Sequence, residues 1–164
     1  MTCRSISLHW ARVCFTMKPG RQMSHGYQVE AFDTSSEMCR LASISIGKTV
    51  HQQTSDEVDW ASEFDGIWAC ASLLHVRRGS IDSVIEKLCR ALKPSGVMFA
   101  SFKLRDEEWE QDGRFFNGYS EDSFRQLIEG HPSLLPKSIW ISDDARPERK
   151  EEKWLNVLLQ RASR

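Results

Sequence analysis

No glycine precedes Gly20 in this chain, and no acidic residue precedes Glu30. The opening stretch therefore lacks the glycine-rich turn that lets a backbone wrap a phosphate, and with it the cradle that a dinucleotide pyrophosphate needs. A surplus of charge is missing as well. The 22 basic and 23 acidic side chains leave a net charge of −1, so there is no cationic excess to displace counterions from a nucleic acid. The five cysteines, at 3, 14, 39, 70 and 89, contain no C-x-x-C pair, and the five histidines contain no H-x-x-x-H pair. Neither a zinc site nor a disulfide framework is signalled, and reduced thiols in the cytoplasm are the expectation. No apolar run approaches the roughly 20 residues of a membrane span. The first residues, MTCRSISLHWARVCF, have no apolar segment followed by a small-residue cleavage site. Nucleic-acid, membrane, metal and secretory roles are all disfavoured on these grounds.

What is present is regular punctuation. A chain of 164 residues suffices for one domain with a sizeable core. YQVEAF, residues 27–32, has strand length and is closed by Asp33. Thr34 to Glu37 forms a T-x-x-E capping box that opens a helix, with Ser35 an equally good cap and Met38, Leu41 and Ala42 as the apolar stripe. Thr49-Val50 reads as a short strand and Asp56 to Trp60 as an acidic loop. FDGIWACASLLHV, residues 64–76, is an apolar strand whose end is crowded with small side chains. Ile81, Val84, Ile85, Leu88 and Leu92 then recur on one face of a 3.6-residue period. Ser80 is the expected cap of that helix, and Lys93 to Gly96 its stop. VMFASF, residues 97–102, is another buried strand. Ser120 caps a further helix with Phe124, Leu127 and Ile128 inward. SIWIS alternates as a strand, DDARPERKEEK is a loop, and WLNVLLQ fits either a strand or a short helix. Alternating strands and helices make a parallel α/β sheet, and the last two strands can pair antiparallel at its edge.

Together GYQVEAFDTSSEM, FDGIWACASLLHV, ALKPSGVMFASFK, DGRFFNGY and KWLNVLLQR resemble the class I S-adenosylmethionine-dependent methyltransferases, most of all small bacterial members linked to tellurite resistance. The resemblance runs from Gly26 to about Arg161. It implies a Rossmann-like, mostly parallel sheet with flanking helices and an antiparallel carboxyl-terminal strand. It divides one domain into an atypical segment at 1–25 and a methyltransferase-like body at 26–164. The implied cofactor is S-adenosylmethionine and the implied partner a small-molecule methyl acceptor. On this likeness Asp33, with Thr34 beside it, grips the ribose hydroxyls. A carboxylate suits that task because it accepts two hydroxyl hydrogen bonds at once. Asp56, Glu57 and Val58 fall where the adenine is held, while Ala69, Cys70 and Ala71 clear space for the methionine moiety. His75, Arg114 and Phe115, with Phe116, fall on the acceptor side.

Each assignment has a plainer rival. Asp33 also suits a helix cap, the acidic loop a solvated surface, and the small residues close helix packing. His75 also suits a structural hydrogen bond, and the aromatics suit a core. No general base stands out, so catalysis is expected to be mostly alignment.

The likeness breaks at the amino end. The family's first strand ends in D-x-G-x-G-x-G, whereas the corresponding stretch here, near 10–16, reads WARVCFT. That strand is central, so Ile6 and Leu8, or Val13 and Phe15, have to fill its slot. An empty slot would leave two unpaired edges and favour a homodimer. Two rival functions stand beside this one: a non-catalytic remnant of the fold, to which the missing glycines point, and a nicotinamide-dependent oxidoreductase, whose dinucleotide the early strand–Asp–helix pattern would also suit. The second is weaker, since it needs the same glycine loop.

Overall fold

The computed structural model describes residues 4–8, 28–149 and 151–163. Strands β1 (Arg4–Leu8), β2 (Gln28–Asp33), β3 (His51–Gln52), β4 (Phe64–Ala69), β5 (Leu92–Lys103), β8 (Leu134–Asp143) and β9 (Lys153–Arg161) form one sheet in the order β3-β2-β1-β4-β5-β9-β8. The strands from β3 across to β5 pair parallel, and β9 then runs antiparallel between β5 and β8. The expected α/β architecture is the one found, with WLNVLLQ resolved as a strand. Its apolar residues alternate: Leu155, Val157 and Leu159 are buried while Leu158 is only half-buried.

The central slot is filled by the first of the two expected segments. In β1, Ile6 lies in register with Glu30 of β2 and with Ile67 of β4. Val13, Phe15 and the WARVCFT stretch lie outside the described residues. The unpaired edges that would have favoured a homodimer are thus closed by backbone hydrogen bonds.

Three helices of this sheet have legible causes. Helix α1 (Ser36–Ile46) is capped by Ser35, whose Oγ accepts from the Met38 N–H at 3.4 Å. The Thr34 box is not formed, because Glu37 turns instead to Arg40 at 2.7 Å. Helix α2 (Arg78–Ala91) buries Ile81, Val84, Ile85 and Leu88 as the period requires. It begins at Arg78 after Arg77, so Ser80 sits inside its first turn rather than at the cap. The missing side-chain cap is replaced from a distance: the Arg78 N–H donates to Glu108 Oε1 at 2.6 Å. Helix α3 (Glu121–Glu129) starts at the Ser120 cap as expected, with Phe124 and Ile128 buried. The strand expected at Thr49-Val50 falls two residues later, at His51–Gln52.

A hairpin is the element the sequence reading lacked. Strands β6 (Glu108–Gln111) and β7 (Arg114–Asn117) pair antiparallel across Asp112-Gly113. Both turn residues have positive φ, 53° and 71°, the type I′ geometry that Asp-Gly favours. Just beyond, Gly118 passes so close to the end of β5 that a Cβ there would lie 2.4 Å from the Arg105 carbonyl oxygen. Only a glycine lets the hairpin return to the sheet at that point.

Candidate functional site

In an open parallel sheet, ligands collect beyond the carboxyl ends of the strands, and the residues singled out above lie there. Asp33 ends β2 and is buried, 2% exposed. Its Oδ1 accepts from the Ser35 N–H at 2.8 Å, a short local turn that fixes the direction of the carboxyl group. The strand end and the helix start are therefore joined through the Asp33 carboxylate.

The acidic loop forms a single 3-10 turn, Ser55–Glu57. Glu57 is occupied in holding it. Its Oε2 accepts from the Thr54 N–H at 2.7 Å and from Thr54 Oγ1 at 3.0 Å, and these bonds hold its carboxyl below the usual range. Asp56 is exposed, whereas Val58 is buried in the main core. The Asp56 carbonyl and carboxylate both face the Lys87 ammonium, and the Glu57 carboxylate is spent on the turn.

At the end of β4 the small residues have three different fates. Ala69 is fully buried in the core. Cys70 is half-buried, with the Ser101 hydroxyl 3.6 Å from its Sγ. Ala71 turns the chain with a φ of 50°, and its N–H donates to Ser101 Oγ at 2.8 Å. Ser72 and the turn Leu73–His75 follow.

His75 is more than half-buried, and its Nδ1 lies 2.7 Å from the Phe115 carbonyl oxygen. That oxygen only accepts, so Nδ1 carries the proton and Nε2 the lone pair. Burial pushes the His75 pKa down, and the ring is neutral near pH 7. The ring also lies 5.0 Å from Phe116, which stacks in turn on Trp109 at 5.0 Å. Phe115 faces away, under the Arg77 guanidinium at 4.5 Å. Arg114 is exposed at the tip of β7, paired with Gln111, and borders neither cavity described next.

Two cavities flank this aromatic stack. One, of about 270 Å³, brings Thr34, Asp56 and His75 together with Ser72 and Arg77. Residues 41 positions apart in sequence, Thr34 and His75, thus share one wall. The other, of about 740 Å³, lies at the end of β5 between the hairpin and residues 147–149 and 151–153, with Lys103, Trp109 and Phe116 in its lining.

Lys103 was not anticipated. It ends β5 with only 8% exposure. Its Nζ donates to Glu152 Oε2 and to Asp144 Oδ2, the latter at 3.4 Å, and lies 4.1 Å from the centre of the Trp154 ring. Burial outweighs the carboxylates and lowers its pKa to about 8. The Arg146 guanidinium, bonded to both oxygens of Asp144, holds that carboxyl well below the ordinary range. The signal available in the sequence was a lone charge closing the apolar run VMFASFK. Among the described residues no group of His, Cys, Asp or Glu side chains could hold a metal ion, and no helix is long and apolar enough to cross a membrane.

A family model described as a methyltransferase domain matches residues 14–100. No curated protein matches the chain. Among solved structures, the chain is similar to the 1,6-didemethyltoxoflavin-N1-methyltransferase of Burkholderia thailandensis, solved with 1,6-didemethyltoxoflavin and S-adenosylhomocysteine. The TM-score is 0.74 at 16% identity, over 98% of this chain and 72% of that one. The N-methyltransferase NodS of Bradyrhizobium japonicum, bound to S-adenosylhomocysteine, gives 0.73 at 12% identity, over 97% and 78%. The [4+2]-cyclase SpnF gives 0.69 at 12% identity, over 98% and 75%. At such identities the likeness is one of fold, and SpnF marks how far chemistry varies on it.

Proposed function

The chain belongs to the methyltransferase-domain family, and we propose that it moves a methyl group from S-adenosylmethionine to a small-molecule acceptor. S-adenosylmethionine is the cofactor of this family. The observation that carries the proposal is the meeting of Thr34, Asp56, Ser72 and His75 around one cavity beside the buried carboxylate of Asp33.

The residues present fit that cofactor. Asp33, its Oδ1 held by the Ser35 N–H, would accept from the ribose hydroxyls, with Thr34 on the sugar side. Asp56 and the backbone to Val58 would border the adenine, with Glu57 holding the turn. Cys70 and Ala71 would border the methionine portion, while Ala69 keeps the end of β4 slim within the core. The cofactor supplies an electrophilic methyl on a sulfonium, which leaves as a neutral thioether. Among this chain's groups, neutral His75 presents Nε2 as the nitrogen able to take a proton from an acceptor N–H or O–H. Its position is fixed by Phe115 and Phe116. Arg114 is exposed on the hairpin, and its charge adds to burial in lowering the His75 pKa. Alignment supplies much of the rest.

Within the family the sequence blocks favour the small members linked to tellurite resistance, working in the cytoplasm as one domain that includes β1. Calorimetric titration with S-adenosylhomocysteine, with circular dichroism recorded on the same sample, tests the reading. Saturable binding at micromolar ligand supports it. A folded chain that binds nothing at millimolar ligand is instead a non-catalytic remnant, as the WARVCFT stretch in place of a glycine loop would favour.

A further inference from the structure

Strand β8 ends the sheet on the side away from β3, and among the described strands its one neighbour is β9. All its residues except Leu134 and Ile139 are exposed. Leu135, Trp140 and Ile141 are large and apolar, yet keep 48%, 42% and 48% of their surface open. An open edge of this kind is a template for another strand. The features that blunt such an edge are confined here to one end: Pro136 offers no N–H, and the register shifts between Pro136 and Ser138. From Ser138 to Asp143 the ladder with β9 is regular and holds no proline.

The sequence of β8 is complementary to itself in one register. A two-fold axis perpendicular to the sheet pairs residues antiparallel about a single residue, with partners on the same face. Centred on Trp140, it sets Trp140 beside Trp140, and twice over Ile139 beside Ile141, Ser138 beside Ser142 and Lys137 beside Asp143. Like meets like and the charges meet their opposites. Centred on Ile139, it would set Lys137 against Ile141 and Asp143 against Leu135; centred on Ile141, it would set Asp143 against Ile139. The faces agree as well. Trp140 lies 5.9 Å from Phe99, which stacks on Trp68 at 4.1 Å, so the aromatic row of one copy would run on into that of the other. On the opposite face Ile139 borders an apolar groove of about 270 Å³ with Phe124, Ile128 and Leu134, and Ile141 of a second copy would arrive at its mouth.

We propose that the partner of the β8 edge is a second copy of this chain, joined in the register centred on Trp140 to make one continuous sheet. The inference goes beyond the methyltransferase reading and does not depend on it. A ladder this short covers less surface than a permanent dimer needs, so the expected dissociation constant is roughly 10–100 μM.

Sedimentation equilibrium of the full chain, from about 5 to about 500 μM, tests the proposal by spanning that constant. The wild-type chain is expected to fit a reversible monomer–dimer equilibrium. Lys137→Asp sets two pairs of carboxylates against each other across the axis, and Asp143→Lys two pairs of ammonium groups. Each variant alone is expected to dimerise at least tenfold more weakly. Mixed in equal amounts, the two variants form both opposite-charge pairs at once, and the mixture is expected to regain wild-type association. Lys153, in register with Asp143 within the chain, is present in mixed and unmixed samples alike. Both substituted positions are exposed, and thermal melting of each variant confirms that it is folded. A wild-type chain still monomeric at the highest concentration overturns the proposal. So do single variants that dimerise as tightly as the wild type, and a mixture that associates no better than its components.

Discussion

Asp33 and Lys103 show two ways in which burial is made tolerable. Asp33 is nearly inaccessible, and the Ser35 N–H orients its carboxylate. Asp33→Asn retains an oxygen for the Ser35 N–H while removing the charge. It is expected to keep the fold and to weaken S-adenosylhomocysteine by about 10- to 100-fold, the loss of one or more charge-assisted bonds, measured by calorimetry. Lys103 is a costlier case. Its folded-state pKa of about 8 lies below the ordinary 10.5, so between those values the native chain binds fewer protons than the unfolded one. Stability contributed by this group therefore rises with pH across that window, and the penalty is complete below it. Relative to a Lys103→Met chain, the wild-type chain should gain about 2 kcal/mol between pH 7.5 and 10. Urea unfolding of both proteins at each pH would reveal a constant difference if the lysine were not strained in this way.

At the scale of elements, one side chain ties the β6–β7 hairpin to the start of α2. Arg78 sits in the first turn of α2, and its guanidinium donates to Asn117 Oδ1 at 3.0 Å, to Asp106 Oδ1 at 2.8 Å and to the Gly118 carbonyl at 2.8 Å. It also lies 5.0 Å from the Tyr119 ring centre. Arg78→Ala should loosen the hairpin without unfolding the sheet. The readout is limited proteolysis, with cleavage between Arg105 and Gly118 at least tenfold faster while the thermal midpoint moves by only a few degrees. Equal cleavage rates would mean that Glu108 and the aromatic stack suffice. This element was the least legible from sequence, for a definite reason. Asp112-Gly113 was a readable turn signal, but EWEQ and RFFN are too short and polar to announce strands by periodicity. What stabilises them is Trp109 stacked on Phe116 and an arginine from another element. By contrast α2 and α3 were legible because one face of each is apolar at helical spacing. The start of α2 was misplaced because its first N–H is satisfied by Glu108, 30 residues away, and not by a local cap.

At the scale of the molecule, the order of strands and helices was enough to indicate a parallel sheet, and the antiparallel pairing of β8 with β9 followed from the loop between them. Which of two apolar pairs enters the centre was open, because two residues of strand-like character are too weak a signal. Register with both neighbours settles it in favour of residues 4–8. The placement of residues at the ends of strands was legible, as at Asp33. It was illegible where loops distant in sequence converge, as at Lys103 with Asp144 and Glu152.

The five residues of β1 bridge β2 to β4, which share no ladder with each other. The molecule is in that sense two half-sheets clasped by a short keystone. A chain lacking residues 1–8 should sediment as an aggregate or give a molten, dye-binding species, and a synthetic peptide of residues 1–8 added in trans should restore cooperative melting. Recovery that depends on peptide concentration would turn the clasp into a titratable reconstitution; native-like melting of the shortened chain alone would show that some other segment can take its place.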